Sequence, residues 1–403
     1  MAGAVAITGV GQVTALGGDV TALTVGLVEG RCGIGPLTLF AHRGRAAIAA
    51  QVPELPPVAM PHARRLSRSD RFALVATAEA CRMAGLDAAL RADAALVVGA
   101  TTGGMFETEE AYRRWRAGEH RRVRLSRFLG MPLSTVGAAV GQGLGMFGPR
   151  ATVSTACSSG ALAITTAAGM VERGEAPVAF ALGVDTLCRL TYAGFDALQA
   201  LDAEPCRPFD ATRRGLSLGE GAGVVVLERA DHARARGARI RALLLGSAVT
   251  ADAHHVTAPH PQGSGALAAM RGALAAAGIA PEAVDYVNAH GSGTRHNDDV
   301  EVAALREVFG ARLPRLPVSS TKSQVGHCLA AAGAIEAVAT VVALTDGILP
   351  PTVTLRTPEP AWADLDFVPS AGRRAPLGIA VSSSYGFGGH NVTLVLARPE
   401  VRK

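Results

Sequence analysis

The chemistry open to this chain starts at Cys157, in the stretch Ala151-Thr-Val-Ser-Thr-Ala-Cys157-Ser-Ser-Gly-Ala-Leu-Ala-Ile164. Small and β-favouring residues run into Ser158, Ser159 and Gly160, and then into an alanine-rich helical pattern continuing towards Val171. The thiol therefore belongs at a strand-to-helix corner, facing free N–H groups and the positive end of a helix dipole. The expectation is a stabilised thiolate acting as a nucleophile. A free cysteine is more often a small buried hydrophobe, so Cys157 needs partners before it counts as catalytic. His290, in Asn288-Ala-His-Gly-Ser-Gly-Thr294, follows a strand pattern and precedes glycines, where loops bring side chains to a cleft. Lys322 and His327 bracket Gly326 in Ser320-Thr-Lys-Ser-Gln-Val-Gly-His327, just before a second alanine-rich pattern from Leu329 to Leu344.

The elements that must position these groups are those of an α/β protein. Arg68 to Leu86 has apolar residues at helical spacing and closes on a glycine, and Ala94 to Ala100 reads as a buried strand running into Thr101-Thr-Gly-Gly104. Val178 to Val184 is another strand, followed by an irregular stretch to Cys206-Arg-Pro-Phe-Asp210. Gly219-Glu-Gly-Ala-Gly223 leads into the strand Val224-Val-Val-Leu-Glu228, and the charged segment from Arg229 to Arg241 marks an internal boundary. The pattern then repeats. Leu96 to Gly104 is echoed by Tyr286 to Thr294, and the Cys157 corner by Pro317 to His327, which argues for two similar halves whose corners meet at one site. The opening Ile7-Thr-Gly-Val-Gly is not a dinucleotide fingerprint, because Thr14 stands where a third glycine is needed.

Composition bounds the function. A chain of 403 residues, 49% hydrophobic and 18% charged, buries one large core or two fused ones. Aromatic residues are only 4% of the chain, which argues against a platform for nucleic acid. The six cysteines have neither zinc-finger nor disulfide spacing, so no metal site is expected and a reducing cytoplasm is. No stretch reads as a signal peptide or a membrane span, so no membrane partner is expected either. The net charge of +5 is concentrated locally, with Arg113, Arg114, Arg116, Arg121, Arg122, Arg124 and Arg127 against Glu119, a segment suited to an acidic protein unless it is simply a solvated face.

Together these segments resemble the elongating β-ketoacyl-acyl carrier protein synthases of the thiolase superfamily. The resemblance runs from Ile7-Thr-Gly-Val-Gly through Cys206-Arg-Pro-Phe-Asp and Leu218-Gly-Glu-Gly-Ala-Gly to Ser384-Tyr-Gly-Phe-Gly-Gly-His-Asn391. It implies a thiolase-like α/β fold, two βαβαβ-type halves in a five-layered α-β-α-β-α arrangement, with residues 1–244 carrying the cysteine and 245–403 the histidines and lysine. By the same resemblance Cys157 accepts the acyl group, and His290 and His327 stabilise the carbanion formed as a malonyl thioester loses carbon dioxide. Lys322 sits between them and pairs with Glu301, near Asp298. Phe387, with Gly386 and Gly388, gates the acyl pocket, and the N–H groups of Cys157 and Phe387 form the oxyanion hole. No cofactor is implied.

The implied partners are an acyl carrier protein and a second subunit, in a homodimer or in a heterodimer with a chain-length-factor-like chain. Charge alone nominates Arg64, Arg65, Arg68, Arg121, Arg122 and Arg124 for docking the carrier. A non-catalytic chain-length-factor-like subunit is the alternative, and Cys157, His290 and His327 argue against it. A thiolase would need a second cysteine in the C-terminal glycine-rich loop, and an initiating synthase usually carries Asn where His327 stands. Glu107 and Thr108 near the expected acyl pocket, Gln199, Ser292-Gly293 and Arg295-His296 depart from the commonest housekeeping pattern and keep a polyketide or polyene pathway open beside fatty-acid elongation.

Overall fold

The computed structural model describes residues 4–54, 58–60 and 63–401. Its centre is a sheet of ten strands. In chain order these are β1 (Val5–Val13), β2 (Ala95–Gly99), β3 (Arg150–Val153), β4 (Val178–Asp185), β5 (Gly221–Arg229), β6 (Ala242–Ala251), β7 (Tyr286–Asn288), β8 (Val318–Ser319), β9 (Ile379–Gly386) and β10 (His390–Ala397). Across the sheet the order is β8-β7-β9-β10-β6-β1-β5-β4-β2-β3. β2 is parallel to β3 and β4, and β5 is antiparallel to β4 and β1. The second half repeats this with β7 parallel to β8 and β9, and β10 antiparallel to β9 and β6. Each strand of the first half thus has a counterpart in the second. The halves join where β1 pairs with β6, Val5 opposite Leu244. The boundary expected between residues 244 and 245 falls inside β6.

The apolar residues of β2, β4, β5 and β10 come in near-continuous runs because both faces of these strands are covered. One outer face packs on α1 (Arg68–Ala84) and α3 (Ser134–Leu144). The other outer face packs on α6 (Ser264–Ala277), itself backed by α7 (Arg295–Phe309). Between the two half-sheets lie α4 (Ser159–Glu172) and α9 (Ala332–Asp346), which touch each other and complete five layers. They approach closely because small residues let them. A Cβ on Gly160 would lie 2.7 Å from the Ala330 carbonyl oxygen, and one on Gly333 2.8 Å from the Ala161 nitrogen.

Two single segments take a form that their surroundings decide. Leu329–Asp346 is long and apolar enough to cross a membrane, but 89% of it is buried between the half-sheets, so its composition belongs to the core. The stretch after β4 also holds a helix, α5 (Arg189–Ala197), alongside α2 (Met105–Arg116). The Glu109 carboxylate on α2 accepts the N–H groups of Arg189 and Leu190 at 2.8 and 2.7 Å, so the start of α5 is capped by a residue remote in sequence.

Candidate active site

The Cys157 corner is held by its own hydroxyls. Ser158 Oγ donates to the Thr155 carbonyl at 2.8 Å, Ser159 Oγ donates to the Ala156 carbonyl at 2.6 Å, and the Thr155 N–H donates to Ser159 Oγ at 2.8 Å. Ala156 takes the left-handed conformation at φ 51°, a strained value for a residue with a side chain, which turns the chain sharply into α4. β9 ends against this corner. Gly386 is required there, because a Cβ would sit 2.7 Å from the Thr155 oxygen and 3.1 Å from the Cys157 nitrogen. The next N–H, that of Phe387, is directed at the Cys157 sulfur. The Phe387 ring stacks on Phe195 of α5 with centroids 5.4 Å apart, and Gly388 continues the turn at φ +85°.

His290 stands just beyond β7, and α7 holds its loop. The Glu301 carboxylate accepts the N–H groups of His290 and Gly291, each at 2.7 Å. Asp298, one turn earlier on the same face, accepts from Gly293 at 3.2 Å and from Phe209 at 2.9 Å. Lys322, on α8 (Lys322–Val325), is buried and donates to the His290 carbonyl oxygen at 2.6 Å and to His290 Nδ1 at 3.3 Å. Its carboxylate partner is Glu336 on α9, not Glu301. Glu301 is occupied by backbone N–H groups, whereas the side of Lys322 away from His290 faces α9. Ser384 Oγ donates to the other Glu336 oxygen at 3.4 Å.

The Tyr385 N–H also donates to His290 Nδ1, at 3.2 Å. With two donors on Nδ1, the neutral ring carries its proton on Nε2. His327 lies across from it, ring centroids 5.3 Å apart and planes at 84°. Its Nδ1 has no partner among the described residues. Burial first, then the Lys322 charge, holds both imidazoles well below their usual pKa, with His327 adding to the effect on His290. Both are therefore neutral at pH 7. The thiolate expectation is overturned by the same burial, which pushes the Cys157 thiol up to about 12 against the opposing pull of Lys322 and the Phe387 N–H. The sulfur is only 5% exposed, and Asp185 and Glu336 add to the upward shift.

Cys157, His290, His327 and Phe387 line one cavity of about 500 Å³, together with Phe195, Gln199 and Arg214. Ser292, Arg295 and His296 also line it, whereas Glu107 and Thr108 do not. Glu107 accepts the Arg68 N–H at 2.8 Å and faces a second cavity of about 600 Å³ lined by Arg64, Arg114, Arg121, Arg122, Arg124 and Arg127. Arg68 leaves the docking set, because it forms a two-pronged ion pair with the buried Glu220 and also donates to the Val52 carbonyl at 3.1 Å. Arg64 and Arg65 are exposed. Sequence reasoning missed Glu336, Phe195 and the Tyr385 N–H. Glu336 had a signal, since it is the charged residue within the otherwise uncharged run from Leu329 to Thr345.

Comparison with known proteins agrees along the whole chain. Residues 2–233 match the family model described as Beta-ketoacyl synthase, N-terminal domain, and residues 241–356 match Beta-ketoacyl synthase, C-terminal domain. Nodulation protein E of Rhizobium meliloti (strain 1021) is 40% identical over 398 residues, 97% of this chain and 98% of that protein. The 3-oxoacyl-[acyl-carrier-protein] synthase 2 of Synechocystis sp. is 38% identical over 410 residues, covering 98% of each. Among solved structures, the ishigamide ketosynthase/chain length factor superimposes with a TM-score of 0.93 at 32% identity, covering 99% of this chain and 100% of that one.

Proposed function

We propose, from the premise that this chain belongs to the β-ketoacyl synthase family, that Cys157 is its acyl-accepting nucleophile and that His290 and His327 stabilise its carbanion. The reaction is the decarboxylative condensation of an acyl group with a malonyl thioester on an acyl carrier protein. The observation that carries the assignment of roles is the pair of donors on His290 Nδ1, which leaves Nε2–H as a fixed donor towards the cavity.

The steps follow from these groups. The Cys157 sulfur attacks the acyl thioester carbonyl, the Cys157 and Phe387 N–H groups take up the oxyanion, and the carrier thiol leaves. His290 can donate but not accept, so His327 is the imidazole left to relay the thiol proton to the departing carrier sulfur. The malonyl thioester then binds with its carbonyl oxygen towards the imidazoles. As carbon dioxide leaves, two neutral N–H donors stabilise the enolate better than imidazolium rings, whose protons would quench the carbanion. That carbanion attacks the acyl-Cys157 carbonyl, expels the cysteine sulfur, which takes a proton from water to return to the thiol, and leaves a β-ketoacyl thioester two carbons longer. Lys322 acts through position and charge, locked between His290 and Glu336.

An acidic carrier suits the arginine cavity of Arg64, Arg121, Arg122 and Arg124, with Arg65 beside it. The enzyme works in the cytoplasm as a dimer, with a second copy or with a chain-length-factor-like subunit, and the open edge strand β3 with exposed Leu125, Leu129 and Phe147 supports a subunit contact. A chain-length-factor-like role for this chain itself needs none of the buried groups around His290. The test is acyl loading. Incubation with acyl-loaded carrier adds one acyl mass to the protein, and Cys157→Ala abolishes the adduct; an adduct persisting in that variant would sink the assignment.

A further inference from the structure

The cavity that holds Cys157 is polarised along its length. Cys157, His290 and His327 are at most 5% exposed, whereas Arg214, Arg295 and His296, which line the same cavity, are exposed. The loops carrying the two arginines touch, since a Cβ on Gly293 would lie 2.9 Å from the Gly215 carbonyl oxygen. The neighbouring guanidiniums of Arg213 and Arg207 are each already paired with carboxylates. Arg213 takes Asp299 at 2.5 Å and Glu359 at 2.7 Å, lies 3.8 Å from Asp298, and sits over the Trp362 ring at 4.6 Å. Arg207 takes Asp202 at 3.1 Å and Glu204 at 2.5 Å. Asp252, the carboxylate on the cavity wall, is held by Asn391 Nδ2 at 2.8 Å and the His260 N–H at 2.9 Å. The side chains of Arg214 and Arg295 have no hydrogen bond and no ion pair among the described residues.

Two guanidiniums without partners, at the open end of a cavity whose closed end holds the nucleophile, are placed for an anion borne by the substrate at a distance from the reacting carbon. We propose that Arg214 and Arg295 form a rim that binds the phosphoryl group of the pantetheine arm carrying the thioester, and so set how deep the thioester sits over Cys157. This rests on the functional reading above and deepens it. The malonyl carboxylate is the other anion the reaction supplies, but it must lie at the closed end, where carbon dioxide leaves beside the imidazoles. The acyl tail and the thioester are neutral. A planar guanidinium suits a phosphoryl group through paired N–H donors, which a single ammonium does not reproduce.

The experiment compares acyl-phosphopantetheine with acyl-pantetheine, donors that differ only in the phosphate, as acylating agents of Cys157 followed by intact mass. In the wild-type protein kcat/KM is expected to favour the phosphorylated donor by about ten-fold or more. Arg214→Ala and Arg295→Ala should each shrink that ratio, the double variant should bring it close to one, and lysine at both positions should restore part of it. Both side chains are exposed and unpaired, so the variants should fold. A ratio near one in the wild type, or one unmoved in the double variant, overturns the proposal. A ratio unmoved while acylation by the intact acyl carrier protein slows would overturn it in favour of contacts with the carrier's own carboxylates. Acylation by neither donor in the wild type would overturn the functional reading, and the rim with it.

Discussion

Lys322 lies within reach of two buried carboxylates and pairs with the one on α9. Glu301 serves backbone N–H groups, while Glu336 neutralises the lysine that presses on His290. Removing one partner of a buried pair leaves an uncompensated charge, so Glu336→Ala should destabilise the fold by about 3–5 kcal/mol. Denaturant unfolding reads this, and a loss under about 1 kcal/mol would mean that Lys322 finds another partner. The imidazoles give a pH signature. Their native pKa values lie below the ordinary 6.5, so just under that pH the unfolded chain binds protons the native chain refuses. Stability from these groups is present above pH 6.5 and is lost as pH falls below it. Glu301, which burial raises to about 8, contributes in the opposite direction, its share being lost as pH rises through that value. The unfolding midpoint of the double variant His290→Gln, His327→Gln should therefore fall less between pH 7.5 and 5.5 than that of the wild type, on the order of the proton linkage of two imidazoles. An equal fall in both would show the imidazoles to be ordinary.

Two element ends make the reacting corner, the start of α4 and the end of β9. The hydroxyls of Ser158 and Ser159 fold the first, and the missing side chain of Gly386 admits the second. The atoms that a Cβ at position 386 would meet are backbone, which cannot rotate away. Gly386→Ala should therefore push the Phe387 N–H off the sulfur and slow acyl transfer by about 10²–10³-fold, the cost of one oxyanion donor. Single-turnover acylation with mass detection would measure it, and a loss under three-fold would remove Phe387 from the oxyanion hole. Phe387 also bridges elements through its stack on Phe195, which ties the β9–β10 turn to α5.

The molecule as a whole treats its two sheet edges differently. β8, at one end, is covered by residues 366–368, which exchange hydrogen bonds with Val318 at 2.9 and 3.1 Å. β3, its counterpart at the other end, has no strand beyond it among the described residues. The arginine segment around Arg121, Arg122 and Arg124 lies in the first half and gives the surface its local positive field. Arg121→Glu with Arg124→Glu should raise the KM for acyl carrier protein by about ten-fold at low salt, and less at high salt, with kcat little changed. Steady-state kinetics across ionic strength would measure this, and salt-independent kinetics identical to wild type would move the carrier to a different face.

The sequence by itself determined the α/β class, the paired halves and the groups that gather at the candidate site, because these are written locally. Strand runs end in glycine-rich corners, the echoes between halves align, and Cys157, His290, Lys322 and His327 sit in short segments whose residue types state their use. Only the tertiary structure decided which groups neutralise and bury them. Lys322 and Glu336 meet because α8 is folded onto the central helix α9, α5 starts where Glu109 caps it from α2, and Arg68 turns inward to Glu220. The thiol at Cys157 shows the difference most directly. A helix N-terminus predicts a thiolate, but burial in the closed end of the cavity disfavours the charged form and pushes the thiol up. Desolvation is a property of everything packed around an atom, and no stretch of sequence next to Cys157 contains it.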